Sequence, residues 1–482
     1  MMEFIVAIEL GSSKITGIAG KKNMDGSISV LAVAQEVSSA CVRKGVVYNI
    51  DKTVQALSSV IKKLETSLKT KIAHVYVGVG GQSIQSIKNT VGKDLAADSE
   101  VTKDMIDELM DANRSMQYPE KQILDAIVQE YKVDNQYTLE PVGIQCSRIE
   151  GNFLNILWRK GFYRNLTKCF DQANIEVLDM YLSPLVLADS VLTDAERRGG
   201  CVLVDLGAET TTVCVFYKNI VRHLAVIPIG SNNITKDIAS LQMEEADAEK
   251  MKLKYACAYT DINDIDKNKV YAIDGDFGNG RTISMSQFTE IVESRIQEIV
   301  ENVWYQVPNE YSDKLLGGII LTGGGSNMNN IEHAFRYHTH VDKIRVAKFV
   351  NEAINSSNSI VNAKDGRLCT VISILAKGDQ NCAGAEIAND LFANVSQKPA
   401  TTGSTRKPGK TDGDNNGRIM PNAENDKARE EQLRKKKEAE EEQKRHEEEE
   451  ARKREERRKN SWLRKAGSGL KSFLGKMTTP DE

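Results

Sequence analysis

The pattern of apolar and polar positions predicts alternating strands and helices up to about residue 394. Short apolar runs predict strands, and several are apolar throughout, which is typical of strands buried on both faces. These predicted strands are residues 4–10, 29–35, 75–79, 201–206 and 318–321. Helical spacing of apolar residues predicts helices over residues 53–68 and 288–304, the second with one buried face. Strands that alternate with helices indicate an α/β fold.

The composition changes sharply near residue 394. From about residue 396 to 425, Ser, Thr, Gly, Pro, Lys and Asp predominate, which predicts a disordered linker. Residues 427–459 are almost entirely Glu, Lys and Arg, and both a solvated single helix and plain disorder fit this pattern. We therefore expect residues 395–459 to act as a spacer between the folded part and the C-terminal tip.

The last segment, residues 460–482, predicts an amphipathic helix that lies on a membrane. On a helical wheel the apolar residues share an arc of about 120°; they are Trp462, Leu463, Ala466, Leu470, Phe473, Leu474 and Met477. The basic residues Arg464, Lys465, Lys471 and Lys476 lie outside this arc and suit an anionic membrane surface. Docking on the protein's own core or on a partner groove is the alternative. Glycines within the segment weaken the helix by about 1 kcal/mol each, so we expect weak binding that needs several copies.

Charge and cysteine content exclude several classes of protein. Lysine and arginine number 64 against 68 acidic residues, a formal net charge of -4, which argues against nucleic acid as a partner. The eight cysteines form no CxxC pair, which is typical of reduced thiols rather than of disulfides or a zinc site. No apolar run approaches the roughly 20 residues of a membrane-spanning helix. The composition predicts a cytoplasmic protein that meets the membrane from the side.

Two similar segments carry the candidate chemistry. Residues 7–13 are AIELGSS and residues 202–210 are VLVDLGAET, and in each an apolar strand ends in an acid, one further residue and a glycine. Each continues into a second strand, so each predicts a tight hairpin whose backbone N–H groups and hydroxyls contact phosphate. We expect Glu9 and Asp205 to hold the water shell of a Mg²⁺ ion. The other predicted phosphate contacts are Gly11, Ser12, Ser13 and Lys14, and Gly207, Ala208, Glu209, Thr210 and Thr211.

A third segment, residues 319–327 (IILTGGGSN), is a predicted buried strand that leads into three glycines, with a helix expected from Asn329. Glycines allow a flat adenine and its ribose to lie against the backbone and the start of the helix. The predicted contacts to adenosine are Gly323, Gly324, Gly325, Ser326 and Asn327.

The two hairpins and the glycine turn, in this order, resemble the superfamily of actin, heat-shock chaperones and sugar kinases. This resemblance implies a two-lobed ATPase fold with duplicated ribonuclease-H-like domains that close over ATP. Within the superfamily the chain is similar to the FtsA family of bacterial cell division proteins. The motifs that carry this similarity are AIELGSSK (7–14), QEY (129–131), PVG (141–143), VLTDAE (191–196), TGGG (322–325) and SWLRK (461–465).

The resemblance implies a domain map. Residues 1–81 and 162–199 would form the first lobe, residues 82–161 an inserted subdomain, and residues 200–394 the second lobe. It also implies self-association into filaments, contacts with later division proteins and a position at the division septum, on the cytoplasmic face of the inner membrane. A subdomain of about residues 235–311 would bind the C-terminal tail of FtsZ, with Arg295 on the binding face; a solvated helix arginine is the alternative.

One departure from the family pattern concerns turnover of ATP. Many relatives have DxGGGT at the second hairpin, whereas this chain has Ala208 and Glu209 in place of two glycines. A carboxylate that pointed into the site would repel phosphate unless a cation lay between them. We therefore expect ATP binding with at most weak ATPase activity, and no residue can be named as the general base.

Two other functions remain open from the sequence. A small-molecule kinase of the same superfold would need a catalytic aspartate beside an acceptor pocket, and a pilus-assembly relative would typically lack the tip. A cluster of His333, His338 and His340 has loose spacing and no cysteine, so a helix end and a following strand are favoured over a metal site.

Overall fold

The computed structural model describes residues 3–273 and 280–386. The chain divides into two compact units, Met1–Ile419 and Met420–Glu482, and every described residue belongs to the first. The predicted linker and the predicted membrane tip lie outside the described residues.

The strands of the described part are bounded as follows in chain order. They are β1 (Ile5–Leu10), β2 (Lys14–Lys22), β3 (Ile28–Val37), β4 (Val42–Arg43), β5 (Val46–Val47), β6 (Thr70–Ile72), β7 (His74–Val79), β8 (Gln85–Glu100), β9 (Lys121–Val133), β10 (Gln136–Thr138), β11 (Gln145–Arg159), β12 (Glu176–Leu182), β13 (Cys201–Leu206), β14 (Thr211–Tyr217), β15 (Ile220–Ile227), β16 (Val270–Ala272), β17 (Thr282–Ser284), β18 (Gly318–Thr322), β19 (Ile344–Val346), β20 (Ile354–Asn355) and β21 (Ala383–Glu386).

The helices of the same part are given in the same order. They are α1 (Ile50–Leu68), α2 (Lys103–Arg114), α3 (Lys160–Gln172), α4 (Ser183–Val191), α5 (Asp194–Gly199), α6 (Ser231–Ala239), α7 (Glu245–Tyr255), α8 (Met285–Tyr305), α9 (Asn309–Ser312), α10 (Ile331–Thr339), α11 (Ser359–Asn362) and α12 (Cys369–Lys377). Short 3-10 turns are formed by Ile262–Asp264 and Gly324–Asn327.

A six-stranded sheet forms the centre of the first lobe, in the order β12-β7-β1-β2-β3-β20. β1 pairs antiparallel with β2 and parallel with β7, so β1 is buried between two neighbours, as its apolar sequence predicts. Helix α1 packs against β2 and β3, and α12 packs against β1, β2 and β7. The apolar side chains of these elements share one hydrophobic core.

The second lobe and the inserted segment share one nine-stranded sheet, in the order β10-β9-β11-β8-β15-β14-β13-β18-β19. In the sequence, strands β8 to β11 lie between β7 and α3, which belong to the first lobe. Their sheet nevertheless joins that of the second lobe, because β8 pairs with β15 at Gln85 and Ala225. The inserted segment has its own small core, which includes Tyr131 and Phe153.

The chain returns to the first lobe after β19. Strand β20 pairs with β3, α12 packs under the first sheet, and β21 pairs with β6. The domain map drawn from the sequence places residues 200–394 in the second lobe, whereas these elements complete the first. Short strands such as β20 carry too few residues to show which sheet they join.

The longer predicted elements are confirmed. The predicted helix at residues 53–68 is α1, which begins three residues earlier because the Asn49 side chain accepts a hydrogen bond from the Lys52 N–H at 3.0 Å. The predicted helix at 288–304 is α8, with Phe288, Val292, Ile296 and Val300 buried on one face. The five predicted strands are present, with ends shifted by at most a few residues. No helix among the residues that the structure describes is long and apolar enough to cross a bilayer.

Candidate functional site

The two predicted hairpins are present and have the same geometry. In the first, β1 and β2 are joined by a turn in which the Gly11 N–H donates to the Lys14 carbonyl at 3.0 Å. In the second, β13 and β14 are joined by a turn in which the Gly207 N–H donates to the Thr210 carbonyl at 2.9 Å. The prediction that both segments form tight hairpins is confirmed.

The tips of both hairpins offer backbone N–H groups. Within the described part of the chain, the N–H groups of Ser12, Ser13, Ala208 and Glu209 donate no hydrogen bond. Unpaired N–H groups at the tip of a turn form a concave site for an anion. The tips therefore have the donors that phosphate oxygens require.

Not every predicted phosphate contact has a free side chain. The Thr211 hydroxyl is buried and donates to the Ile229 carbonyl at 2.8 Å. The Lys14 ammonium lies 3.5 Å from the Gln35 side-chain oxygen. Thr211 thus secures the second hairpin internally, while Lys14 is exposed on the first.

Glu9 and Asp205 occupy equivalent positions, one residue before the end of β1 and of β13. Burial and, to a smaller extent, the negative charge of Asp205 raise the pKa of Glu9 from 4.5 to about 8. Burial raises the pKa of Asp205 from 3.8 to about 6. Both residues retain partial access to solvent. Two neighbouring carboxyl groups with raised pKa values form a site that a cation would stabilise.

The glycine turn lies directly against Asp205. Gly323 has a φ of +83°, and a Cβ atom there would come within 2.3 Å of the Asp205 Oδ1. Gly325 lies beside Leu206, where a Cβ would be 3.0 Å from the leucine Cβ. The third predicted segment and the second hairpin therefore meet at one point.

The last two residues predicted to contact adenosine stabilise the turn itself. The Ser326 hydroxyl donates to the Gly323 carbonyl at 2.7 Å, and the Asn327 amide donates to the Asp365 carbonyl at 2.7 Å. The helix expected from Asn329 begins at Ile331, after the 3-10 turn Gly324–Asn327.

Glu209 points across the cleft between the lobes. Its Oε2 accepts a hydrogen bond from the backbone N–H of Lys44 at 2.8 Å, and its Oε1 lies 3.7 Å from the Lys236 ammonium. The Gly45 N–H, next along the chain, donates to the Ser12 hydroxyl at 2.8 Å. One turn of the first lobe thus contacts both hairpins.

Sequence reasoning missed the Lys44–Gly45 turn. Both residues have positive φ, 49° and 71°, and they join β4 to β5 as a two-residue hairpin loop. A Lys-Gly pair between two short segments that contain valine is a usable hairpin signal, although a weak one. Arg367 was not predicted either. Its side chain covers Gly324, and a Cβ atom on that glycine would lie 3.3 Å from the Arg367 Cγ.

Arg295, predicted to bind a partner, lies on α8 and pairs with Asp237 of α6. Its Nε and Nη2 are 2.6 Å and 2.9 Å from the two carboxylate oxygens of Asp237. Arg295 also contacts Glu298. Its side chain is about one quarter exposed, at 24%. The arginine is therefore held in one orientation at the surface.

The three histidines lie in α10 or at its C-terminal end, as the predicted helix end requires. His333 lies in α10 and stacks on Tyr259 with ring centroids 4.1 Å apart, and His340 ends the same helix. No group of three or more His, Cys, Asp or Glu side chains suited to a metal ion occurs among the described residues.

These residues fit a nucleotide polyphosphate with Mg²⁺. Free N–H groups at two turns would bind phosphate oxygens, and Mg²⁺ commonly keeps several waters and uses one or two carboxylates, here Glu9 and Asp205. A bound Mg²⁺ would supply positive charge beside the phosphates.

Two protein-family models match separate parts of the chain. The family model "Cell division protein FtsA" matches residues 202–373, and the model "SHS2 domain inserted in FTSA" matches residues 81–157. The cell division protein FtsA of Pseudomonas aeruginosa is 32% identical over 330 residues, which cover 68% of this chain and 78% of the relative. That of Neisseria meningitidis serogroup B is 33% identical over 333 residues, with 68% and 80% covered.

A solved structure of the "PilM-PilN type IV pilus biogenesis complex" aligns with a TM-score of 0.53 at 13% identity, covering 77% of this chain and 97% of that chain. At this identity the likeness concerns the fold alone. The fold and the paired hairpins define a mixed α/β, actin-like protein with an inserted SHS2 domain. The chain belongs to the FtsA family of cell division proteins. The family predicted from the motifs is confirmed, and the kinase and pilus-assembly alternatives are set aside.

Proposed function

We propose that this cell division protein binds ATP with Mg²⁺ in the cleft between its lobes. The observation that carries the proposal is the convergence of two equivalent hairpin turns and a glycine turn around Glu9 and Asp205. The N–H groups of the hairpin tips would bind the phosphates, and the two acids would hold the hydrated cation. The adenosine would lie against the backbone of the glycines at residues 323–325, beside the Arg367 side chain that covers Gly324.

Slow turnover is part of this proposal. Hydrolysis requires a group that orients or deprotonates the attacking water. Glu209, at the tip of the second hairpin, is engaged by Lys44 and Lys236. ATP would then act mainly as a ligand that sets the conformation of the lobes.

The partner surface would be the face formed by α6 and α8. A guanidinium recognises a carboxylate with two parallel hydrogen bonds, and Asp237 already provides such a carboxylate to Arg295. A carboxylate of the FtsZ C-terminal tail would compete with Asp237 for Arg295. In this arrangement Arg295 is presented to the partner without a change in the backbone.

The tip at residues 460–482 would attach the protein to the cytoplasmic face of the membrane at the septum. Because one copy binds weakly, self-association of the actin-like part would gather several tips and strengthen attachment. The chain would thus tether FtsZ filaments to an anionic membrane and help to recruit later division proteins.

Titration with a fluorescent ATP analogue tests the nucleotide site. We expect saturable binding that is strengthened by Mg²⁺ in the parent chain. Glu9→Gln should lose most of the gain from Mg²⁺, about tenfold in affinity, while the exposed Glu3→Gln serves as a matched control. Absence of saturable binding by the parent would refute the proposal.

A further inference from the structure

The Glu209 carboxylate joins the second hairpin to a turn of the first lobe. Glu209 belongs to the second hairpin, and its partner Lys44 lies 165 residues earlier in the chain. The bond uses the backbone N–H of Lys44, which every residue except proline provides. The contact therefore depends on the identity of residue 209 rather than on that of residue 44.

The neighbouring N–H of the same turn binds the other hairpin. Gly45 donates to the Ser12 hydroxyl at 2.8 Å, while Lys44 donates to Glu209 at 2.8 Å. The Lys44 carbonyl in turn accepts from the Gln82 N–H at 2.8 Å, which fixes the turn to the start of the inserted segment. Three hydrogen bonds therefore hold the turn. Of these three, the bond to Glu209 is the one that comes from the second lobe.

The Glu209 carboxylate has a second partner within its own lobe. Its side chain is 20% exposed, and the Lys236 ammonium lies 3.7 Å from its second oxygen. A hydrogen bond from an N–H to an ionised carboxylate is stronger than one to a neutral acceptor. A glycine at this position, as in the DxGGGT pattern, would leave the Lys44 N–H without this acceptor.

We propose that Glu209 is a built-in anion that holds the second hairpin on the Lys44–Gly45 turn before any nucleotide binds, beside the first hairpin, which Ser12 holds on the same turn. The Glu209 carboxylate accepts a hydrogen bond from the Lys44 N–H, as a phosphate oxygen would at the end of a helix or hairpin. This bond holds the surrounding backbone in place. Closure of the lobes in this chain is therefore partly independent of ATP. The inference deepens the proposed nucleotide function by adding a regulatory residue at the same site, and it rests on that function.

Hydrogen–deuterium exchange with residue-level fragmentation tests this proposal on the full chain without nucleotide. In the parent we expect the Lys44 amide to be protected. In Glu209→Gly it should exchange roughly tenfold faster, as expected for the loss of one charge-assisted hydrogen bond. Glu209→Gln, which keeps an oxygen acceptor but lacks the charge, should lie between the two.

Lys236→Met is the matched control. It removes the ion pair and leaves the carboxylate, so the Lys44 amide should stay protected. Equal exchange of this amide in the parent and in Glu209→Gly, or an unprotected amide in the parent, would overturn the proposal. If Glu209→Gly fails to fold, as judged by urea unfolding, Glu209→Gln decides: faster exchange supports the proposal and unchanged exchange overturns it. Because no nucleotide is added, failure here is distinct from failure of ATP binding.

Discussion

Arg345 and Glu196 form a bidentate ion pair between β19 and α5, with 2.7 Å from Nε to Oε1 and 2.8 Å from Nη2 to Oε2. The same carboxylate accepts the Thr193 N–H at 2.9 Å and completes a capping box at the start of α5. Thr193 and Glu196 belong to the VLTDAE motif. The motif therefore has a structural role, because its Glu196 joins the end of the first lobe to the sheet of the second through Arg345.

The pH dependence of stability follows from this pair. Burial alone would raise the pKa of Glu196, but hydrogen bonds from Arg345 and Thr193 outweigh burial and bring the pKa from 4.5 to about 2. A lowered folded-state pKa adds stability that is present above pH 4.5 and is lost as the pH falls towards 2.

We expect Glu196→Gln to lower the free energy of unfolding by about 2 kcal/mol at pH 7, and by less at pH 3. Urea unfolding at both pH values measures this difference. Asp194→Asn, in the same helix but 81% exposed, is the control and should change stability by under about 0.5 kcal/mol. A loss for Glu196→Gln that is equal at both pH values would contradict the assignment.

The Glu209 carboxylate should also affect nucleotide preference. In the proposed binding mode the terminal phosphate of ATP would bring negative charge towards the second hairpin, which carries the Glu209 carboxylate. We expect Glu209→Gly and Glu209→Gln to tighten ATP binding about threefold to tenfold, with a smaller change for ADP. Competition with a fluorescent nucleotide measures both affinities. Lys236→Met should act in the opposite direction, and equal changes for ATP and ADP would count against this electrostatic account.

The glycine turn offers a matched pair of substitutions. Gly323→Ala places a Cβ at positive φ and within 2.3 Å of Asp205, so we expect a loss of about 1–3 kcal/mol of stability and weaker ATP binding. Gly324→Ala places its Cβ 3.3 Å from the Arg367 Cγ, a flexible side chain that can move. Thermal unfolding of both variants should show the larger loss for Gly323→Ala. The reverse order would contradict the close packing of Gly323 on Asp205.

The role of Arg295 is tested by changing each partner of its ion pair. If Arg295 binds a carboxylate of the FtsZ tail, Arg295→Ala should weaken peptide binding by about tenfold, whereas Asp237→Asn should preserve or strengthen it by releasing the guanidinium. Fluorescence anisotropy with a labelled tail peptide measures both. Weakening by both substitutions would indicate that the ion pair only positions α6 and α8.

The sequence predicted the elements whose signal is local. Five of the six residues of β13 are apolar, and α8 has one apolar face. The type of each element could therefore be predicted from its own residues. The hairpins around Gly11 and Gly207 were also predictable, because a tight turn requires glycine close to the facing carbonyl.

Contacts that join distant segments were not predictable in the same way. The residue type of Lys44 does not predict its hydrogen bond to Glu209, because the donor is a backbone N–H. The joining of the inserted sheet to the second lobe depends on one residue pair, Gln85 and Ala225, whose side chains do not specify a partner strand. The direction of the Glu209 side chain, left open by the sequence, depends on contacts with both lobes.

Co-flotation of FtsZ filaments with vesicles tests the central claim, that this chain is an ATP-binding tether between FtsZ and an anionic membrane. Vesicles with anionic lipid are mixed with FtsZ and the full chain in Mg-ATP, and the FtsZ recovered with lipid is measured. We expect strong recovery with the parent and little with Phe473→Asp, which would place a charge on the predicted apolar face of the tip while retaining ATP binding. Equal recovery of FtsZ with the parent, with Phe473→Asp and without the chain would contradict the account.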